Sequence, residues 1–144
     1  MELTKKKRFA LPEAAFRQLC EQVKHRDHEL EVVYREIIGI KPPRLGEDAE
    51  VHHVIHKGSG GGDREENLIN LEYGVHRYQV HGDAPNLSRE LTMRMTAYLE
   101  CSAVRAWRYR HSQELDHIYL AAEREQLAHK RKVNMPNLKR WNYV

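Results

Sequence analysis

The segment AEVHHVIHKGSGGGDREENLINLEYGVHRYQVHG, residues 49–82, carries five of the chain's ten histidines and six of its eight glycines. An imidazole titrates near a pKa of about 6.5, so around neutral pH it can ligate a divalent metal or accept a proton. His52 and His53 are adjacent, and neighbouring residues of a strand normally point to opposite faces. A bulge or bend after His52 would aim both rings into one cavity, a device that recurs beside active sites. A helix after the second strand would bring His76 back towards the strand pair. That arrangement gives a metal held by His52 and His76, with His53 placed to take a proton from water. A purely structural metal site closes with four ligands and has no use for the second adjacent histidine. The glycine run is no P-loop, because it lacks the Lys-Ser/Thr that cradles phosphates.

The elements that must position these residues follow from periodicity. EVHHVIH has strand character, GSGGGD is loop because four glycines in five positions leave nothing to pack, and NLINL returns to apolar alternation. EYGVHRYQVH reads as a short helix ended by Gly82 and Pro85. Upstream, Pro12 suits a helix start, and Phe16, Leu19, Cys20 and Val23 follow the spacing of one buried helical face, fading near Asp27 or His28. LEVVYREIIGI is apolar and β-branched and predicts strand or irregular extended structure. Downstream, Leu91, Met95, Tyr98 and Leu99 mark one helix. Leu115, Ile118, Tyr119 and Ala122 mark another, from about Gln113 to His129. Met93 and Met95 are read as packing residues, His25 and His56 as surface or structural, and His111, His117 and His129 as solvated.

At 144 residues the chain is most economically one domain, 40% hydrophobic and 31% charged. No stretch approaches the ~20 apolar residues that span a bilayer, and the basic start is followed by no apolar targeting segment. A cytoplasmic protein without membrane contact is the expectation. Cys20 and Cys101 are too few for a disulfide framework or a four-thiolate zinc site. Net charge is only +3, but the cations cluster at 5–8, in RAWRYR at 105–110 and from Lys130 onward. Clustered Lys and Arg are the footprint of a polyanion. The candidate DNA contacts are Lys57, Arg105, Arg108, Lys130, Arg131 and Lys132.

The order VHHVI…GSGGGDREENLINL…H closely resembles the HNH endonucleases, in particular the small phage and bacterial group in which a His pair precedes a Gly-Gly loop, then Asn-Leu, then a helix bearing His. The resemblance covers Glu50 to Gly82, extends loosely back over LPEAAFRQLCEQVKHRD, and says nothing about Pro85 to Val144. It implies an α+β fold with a ββα-metal motif at 50–82; periodicity and charge clustering, not the resemblance, embed that motif in a mainly helical single domain with a helical extension over 86–131 and a basic tail over 130–144. It also implies a metal-dependent DNA endonuclease, nicking or cutting both strands, in the host cytoplasm if phage-encoded. In that family's terms His52 and His76 are metal ligands, and His53 is the general base that activates water. Asn67 would brace the loop and help orient His53. One divalent ion is expected, Mg2+ or Mn2+ first, with Ni2+, Co2+ or Zn2+ tolerated by two imidazoles; by the Irving–Williams order a copurified metal reports affinity and need not be the working one.

Two departures matter. Relatives commonly build a structural zinc site with paired Cys around this motif. Here the two positions before His76 are Glu72 and Val75, and HELEVVYR has no Cys, so no structural zinc is expected and packing by Val32, Val33, Tyr34 and Val75 would replace it. Relatives also often place another His four residues after the helical ligand, whereas His81 is five after His76. Five residues rotate about 140° around an α-helix and four only about 40°. His81 joins the metal if a π-bulge intervenes, and otherwise lies at the frayed helix end. Competing readings are a catalytically inactive DNA-binding module that retains the ββα fold, and an unrelated metal-binding structural protein. The C-terminal helices are a candidate homodimer surface.

Overall fold

The computed structural model describes residues 7–76 and 85–142, with side chains described over 7–76 and 88–131. The elements run α1 (Glu13–Glu29), α2 (Glu31–Ile38), β1 (Ala49–His53), β2 (Leu68–Glu72), α3 (Pro85–Glu100), α4 (Ser102–Arg110) and α5 (Ser112–Asn142). The two strands pair as one antiparallel hairpin, which makes an α+β fold dominated by helices. No helix among the described residues is long and apolar enough to cross a membrane.

Pro12 caps α1 with φ −55°, and Glu13 in the first turn with Arg26 and His28 in the last oppose the helix dipole favourably. The extended structure expected over LEVVYREIIGI is corrected to helix α2. Tyr34 and Ile38, four residues apart, are its buried positions, and Leu30, Val33 and Ile37 pack beside them. β-branched residues lose only tenths of a kcal/mol per residue in a helix, so burial of this i, i+4 face decides the outcome. Gly39 ends α2 at φ +83°, a left-handed conformation that Gly adopts without a Cβ penalty.

The hairpin register is one-for-one, from Ala49 opposite Glu72 to His53 opposite Leu68. Directly opposed residues share a face, so the register divides the sheet. Val51, His53, Leu68 and Asn70 face α1, where Val51 and Leu68 join a core with Leu19, Val23, Trp107 and Ile118. Glu50, His52, Ile69 and Leu71 take the other face, where Ile69 and Leu71 pack against Tyr34, Ile38, Met95 and Tyr98. The hairpin is thus held between two apolar clusters, which fixes both of its faces.

A buried ionic network ties the hairpin to the helices. Arg26 and Asp27 of α1 and Glu65 of the loop are fully buried. Arg26 bonds Asp27 at 2.8 Å, the Glu65 carbonyl at 2.9 Å and the Leu68 carbonyl at 2.6 Å. Asp27 accepts from the Asn70 amide and from the Tyr98 hydroxyl, while Arg108 closes on Glu65 at 2.8 Å. Two cations and two anions balance, and each is hydrogen-bonded, the condition under which buried charge is tolerated.

The C-terminal helices keep the expected core positions Leu91, Met95, Tyr98, Leu99, Leu115, Ile118 and Ala122. Met93 departs from its packing assignment and is exposed, as is Val32; Tyr34 is buried, and Val33 and Val75 pack at the core margin. α4 is a separate helix within the basic stretch. α5 runs beyond His129 to Asn142, and its side chains from Glu123 to Arg131 are exposed.

Candidate functional site

His52 and His53 leave β1 on opposite faces. The bulge expected after His52 is corrected: all five residue pairs of β1 and β2 are in register, and Val54 continues the pairing through its amide to the Asn67 carbonyl at 2.9 Å. The alternation of a regular strand therefore separates the two imidazoles and gives each its own partners.

His53 is buried against α1, its ring stacked on Phe16 with centroids 5.7 Å apart. Its Nε2 lies 2.8 Å from Asp63 Oδ1. Asp63 is itself fixed, accepting from Arg8 and, through Oδ2, from the Leu11 amide at 2.9 Å. Burial alone would raise the Asp63 carboxyl, but hydrogen bonds from Arg8, His53 and Leu11 together hold it below the usual carboxylate range. It is therefore an anion at neutral pH. Burial lowers the His53 pKa below its ordinary value, outweighing the upward pull of Asp63, and the nearby cations Lys57 and Arg8 push it the same way. A neutral imidazole facing a carboxylate carries its proton on the facing nitrogen. Nε2–H thus donates to Asp63, and Nδ1 keeps the lone pair.

The glycine loop is folded tightly under this pair. A Cβ at Gly61 would lie 1.7 Å from the Ile55 carbonyl oxygen, so only Gly fits there. Asn67 spans the loop: its Oδ1 accepts from the Ile55 amide at 2.8 Å, and its Nδ2 donates to the Ile55 and Gly62 carbonyls, each at 3.1 Å. Asn67 therefore reaches His53 through the backbone on either side, next to Val54 and next to Asp63.

On the other face, His52 Nδ1 lies 3.1 Å from His76 Nε2. His76 sits in a helical turn at 73–76 whose backbone has the wider π-type winding at 75–76. Two metal–nitrogen bonds of about 2.1 Å place their nitrogens roughly 3.0–3.4 Å apart for angles between square and tetrahedral. The 3.1 Å contact is a hydrogen bond between the two rings, and its length also falls within that ligand spacing. His76 Nδ1 faces the Glu50 carboxylate, the arrangement by which an outer carboxylate orients a ligating histidine. Among the described residues no group of three or more His, Cys, Asp or Glu forms a metal cluster. His81 lies outside the described residues. The His56 ring stands 5.6 Å from that of His52, edge to face, although the His56 side chain is largely exposed.

Three residues of this arrangement escape the sequence reading: Glu50, Asp63 and Arg8. Glu50 stands two before His52 and hence on the same strand face, a period-two signal visible in EVH. Asp63 directly ends the glycine run. Arg8 gives no signal, since its basic run reads equally well as a solvated terminus.

The candidate DNA contacts divide. Lys57 lies 5.8 Å above the Phe16 ring and so flanks His53. Arg105, Lys130 and Arg131 are exposed, while the Lys132 side chain lies outside the described residues. Arg108 is partly buried, with its guanidinium donating to Glu65 and the Leu99 carbonyl. His111 is half-buried, one face of its ring stacked on Trp107 at 4.2 Å. Burial raises the Cys20 thiol to about 11, which leaves it unreactive. Comparison with known families, with characterised proteins and with solved structures finds no match to this chain.

Proposed function

We propose that the chain is a metal-dependent DNA endonuclease of HNH type, a cytoplasmic phosphodiester hydrolase. One observation carries this reading: adjacent strand residues feed two different units, His53 with Asp63 at 2.8 Å and His52 with His76 at 3.1 Å. The first unit is a neutral imidazole with a fixed tautomer, suited to take a proton from water. The second is a pair of ring nitrogens at ligand spacing, with Glu50 turned to the far side of His76.

His53 Nδ1 removes the proton as water attacks phosphorus, and Asp63 stabilises the imidazolium that forms. His52 and His76 would hold the divalent ion. When bound, such an ion supplies charge stabilisation at the phosphate and at the leaving oxygen. Asn67 and Gly61 keep the loop that carries Asp63 in place. Lys57 and Arg105, with Lys130, Arg131 and Lys132 on α5, would contact the phosphate backbone, a sequence-independent attraction.

Incubation with supercoiled plasmid, with and without Mg2+ or Mn2+, tests the reading. Metal-dependent conversion to nicked or linear DNA is expected. DNA binding without cleavage in either metal would instead make the chain a DNA-binding module on the same fold.

A further inference from the structure

Residues 7–12, ahead of α1, belong to no helix or strand, so their backbone groups must find partners elsewhere. They find them on the glycine loop, which residues 8–11 cross as a strap. The Phe9 carbonyl accepts from the Asp63 amide at 2.9 Å, and the Leu11 amide donates to Asp63 Oδ2 at 2.9 Å. Arg8 Nη1 donates to Asp63 Oδ1 and, at 3.2 Å, to the Gly61 carbonyl. The approach is close. A Cβ at Gly62 would crowd Phe9 Cβ at 3.3 Å, so glycine leaves the room in which the strap lies.

Side chains clip the outer end of the strap. The Phe9 ring meets Tyr119 of α5 edge to face, with centroids 5.9 Å apart. The Arg64 guanidinium lies over both rings, 4.2 Å from the Phe9 centroid and 5.3 Å from that of Tyr119. The Tyr119 hydroxyl also accepts from the Glu65 amide at 2.8 Å, so α5 holds the strap and the loop together. Leu11 anchors the inner end at the margin of the core, whereas Arg8 and Phe9 are half-buried and depend on these few contacts. Two of the three groups that donate to the Asp63 carboxylate belong to the strap, and the third is His53. Without the strap His53 is left alone on that carboxylate, and no contact fixes which oxygen faces the ring.

We infer that Arg8 and Phe9 are positioning residues: docked on the glycine loop, residues 8–11 hold Asp63, and through it the His53 ring, in the orientation for proton transfer. This role rests on the nuclease reading. It also separates Arg8 from the basic run at 5–8 as a DNA contact, because its guanidinium is engaged by Asp63 and Gly61. The bond to Asp63 is charge-assisted, the stronger kind. Both residues act only through Asp63, so their loss falls on kcat and leaves the binding of DNA and metal alone.

Two measurements on the full chain test the strap. The first is the His53 tautomer by nitrogen NMR at alkaline pH in EDTA, which needs no cleavage. A single Nε2–H tautomer is expected in the wild type, and a mixture of both in Arg8→Gln and in Phe9→Ala. The second is cleavage of supercoiled plasmid with Mg2+ in excess. Arg8→Gln should lower kcat about 10-fold, the low end for losing an outer partner of a site residue, with KM for DNA and the Mg2+ requirement unchanged. Arg8→Lys keeps a charged donor and Phe9→Tyr keeps the ring, so each should recover most of the rate. The double variant Arg8→Gln with Asp63→Asn should be no slower than Asp63→Asn alone, because both act through one contact. A raised KM in place of a lowered kcat, losses that multiply in the double variant, or loss of the fold in both Arg8→Gln and Phe9→Ala overturns the inference. Plasmid cleavage with tautomer and kcat unchanged in these two variants overturns the strap and leaves the nuclease. A tautomer that is lost in them, in a chain that cuts no plasmid, overturns the nuclease and leaves the strap as the support of His53.

Discussion

His53 Nε2 and Asp63 Oδ1 lie 2.8 Å apart across the loop that joins the two strands. Asp63 is held in turn by Arg8 and the Leu11 amide, so the imidazole can neither rotate nor change tautomer without breaking a fixed carboxylate contact. Asp63→Asn should therefore lower cleavage by about 10- to 100-fold, the ordinary cost of losing an outer partner of a site residue. The melting temperature should fall much less than activity. Plasmid nicking and thermal melts of the same preparation check this, and equal activity in the variant would remove Asp63 from the site.

The same pair sets a pH dependence with a definite sign. His53 is held below its ordinary value of 6.5 by burial, against the opposing pull of Asp63. The free base is the active form, so the acid limb of the cleavage rate should have its midpoint below 6.5. Removing the Asp63 charge removes the upward pull, and the limb of Asp63→Asn should move to still lower pH. A purely structural role would lower the plateau without moving the limb. For stability, the neutral His53 contributes fully above the unfolded pKa near 6.5, and that contribution is lost as pH falls towards the lower folded value. Asp63, also depressed, loses its contribution as pH falls below 3.8. Acid melts should show both losses.

Much of this arrangement is legible in the chain because it rests on local rules. The strands around the glycine run and the helix after Pro12 follow from alternation, from glycine and from i, i+3, i+4 spacing. α2 is misread because LEVVYREIIGI is β-branched, and a single sequence does not reveal that Tyr34 and Ile38 meet Ile69 and Leu71 in one cluster. The bulge at His52 is a similar case: two histidines wanted in one cavity suggested it, while the ladder gives each its own face. Arg26 and Glu65 are 39 residues apart, and no local pattern in the sequence pairs them before the fold joins them.

The buried network makes a stability prediction that also tests the DNA assignment. Arg26→Met leaves Asp27 and Glu65 without their shared cation, and breaking a buried pair in this way costs about 3–5 kcal/mol. Arg108→Gln removes the second cation from Glu65 and should lower the melting temperature without altering the salt dependence of DNA binding. Arg105→Gln should do the reverse, flattening that dependence by about one unit of slope. Thermal melts and salt titrations of the three variants separate the roles; a slope change in Arg108→Gln would return that residue to the DNA surface.

Metal removal should leave the fold intact. The two clusters around the hairpin are apolar, and paired cysteines are absent from the motif. EDTA should stop cleavage while the circular dichroism spectrum and melting cooperativity stay nearly unchanged. Global unfolding in EDTA would reveal a structural metal.

The separation of His52 from His53 onto two faces gives the sharpest test, because adjacent residues then fail in different ways. His53→Ala removes the proton acceptor and should cost roughly two to four orders of magnitude in rate, the usual worth of a general base. It leaves His52 and His76 facing each other at 3.1 Å, so metal binding should persist and added metal should not restore the rate. His52→Ala and His76→Ala each remove one ring nitrogen of that pair, so their defect should lie in metal affinity and should be partly relieved as Mg2+ or Mn2+ is raised. Glu50→Gln leaves both ring nitrogens in place but loosens the orientation of His76, so it should require less added metal than either ligand variant. Titration of all four variants with metal on supercoiled plasmid resolves the assignment. Rescue of His53→Ala by metal, with none for His52→Ala, would exchange the roles of the two histidines.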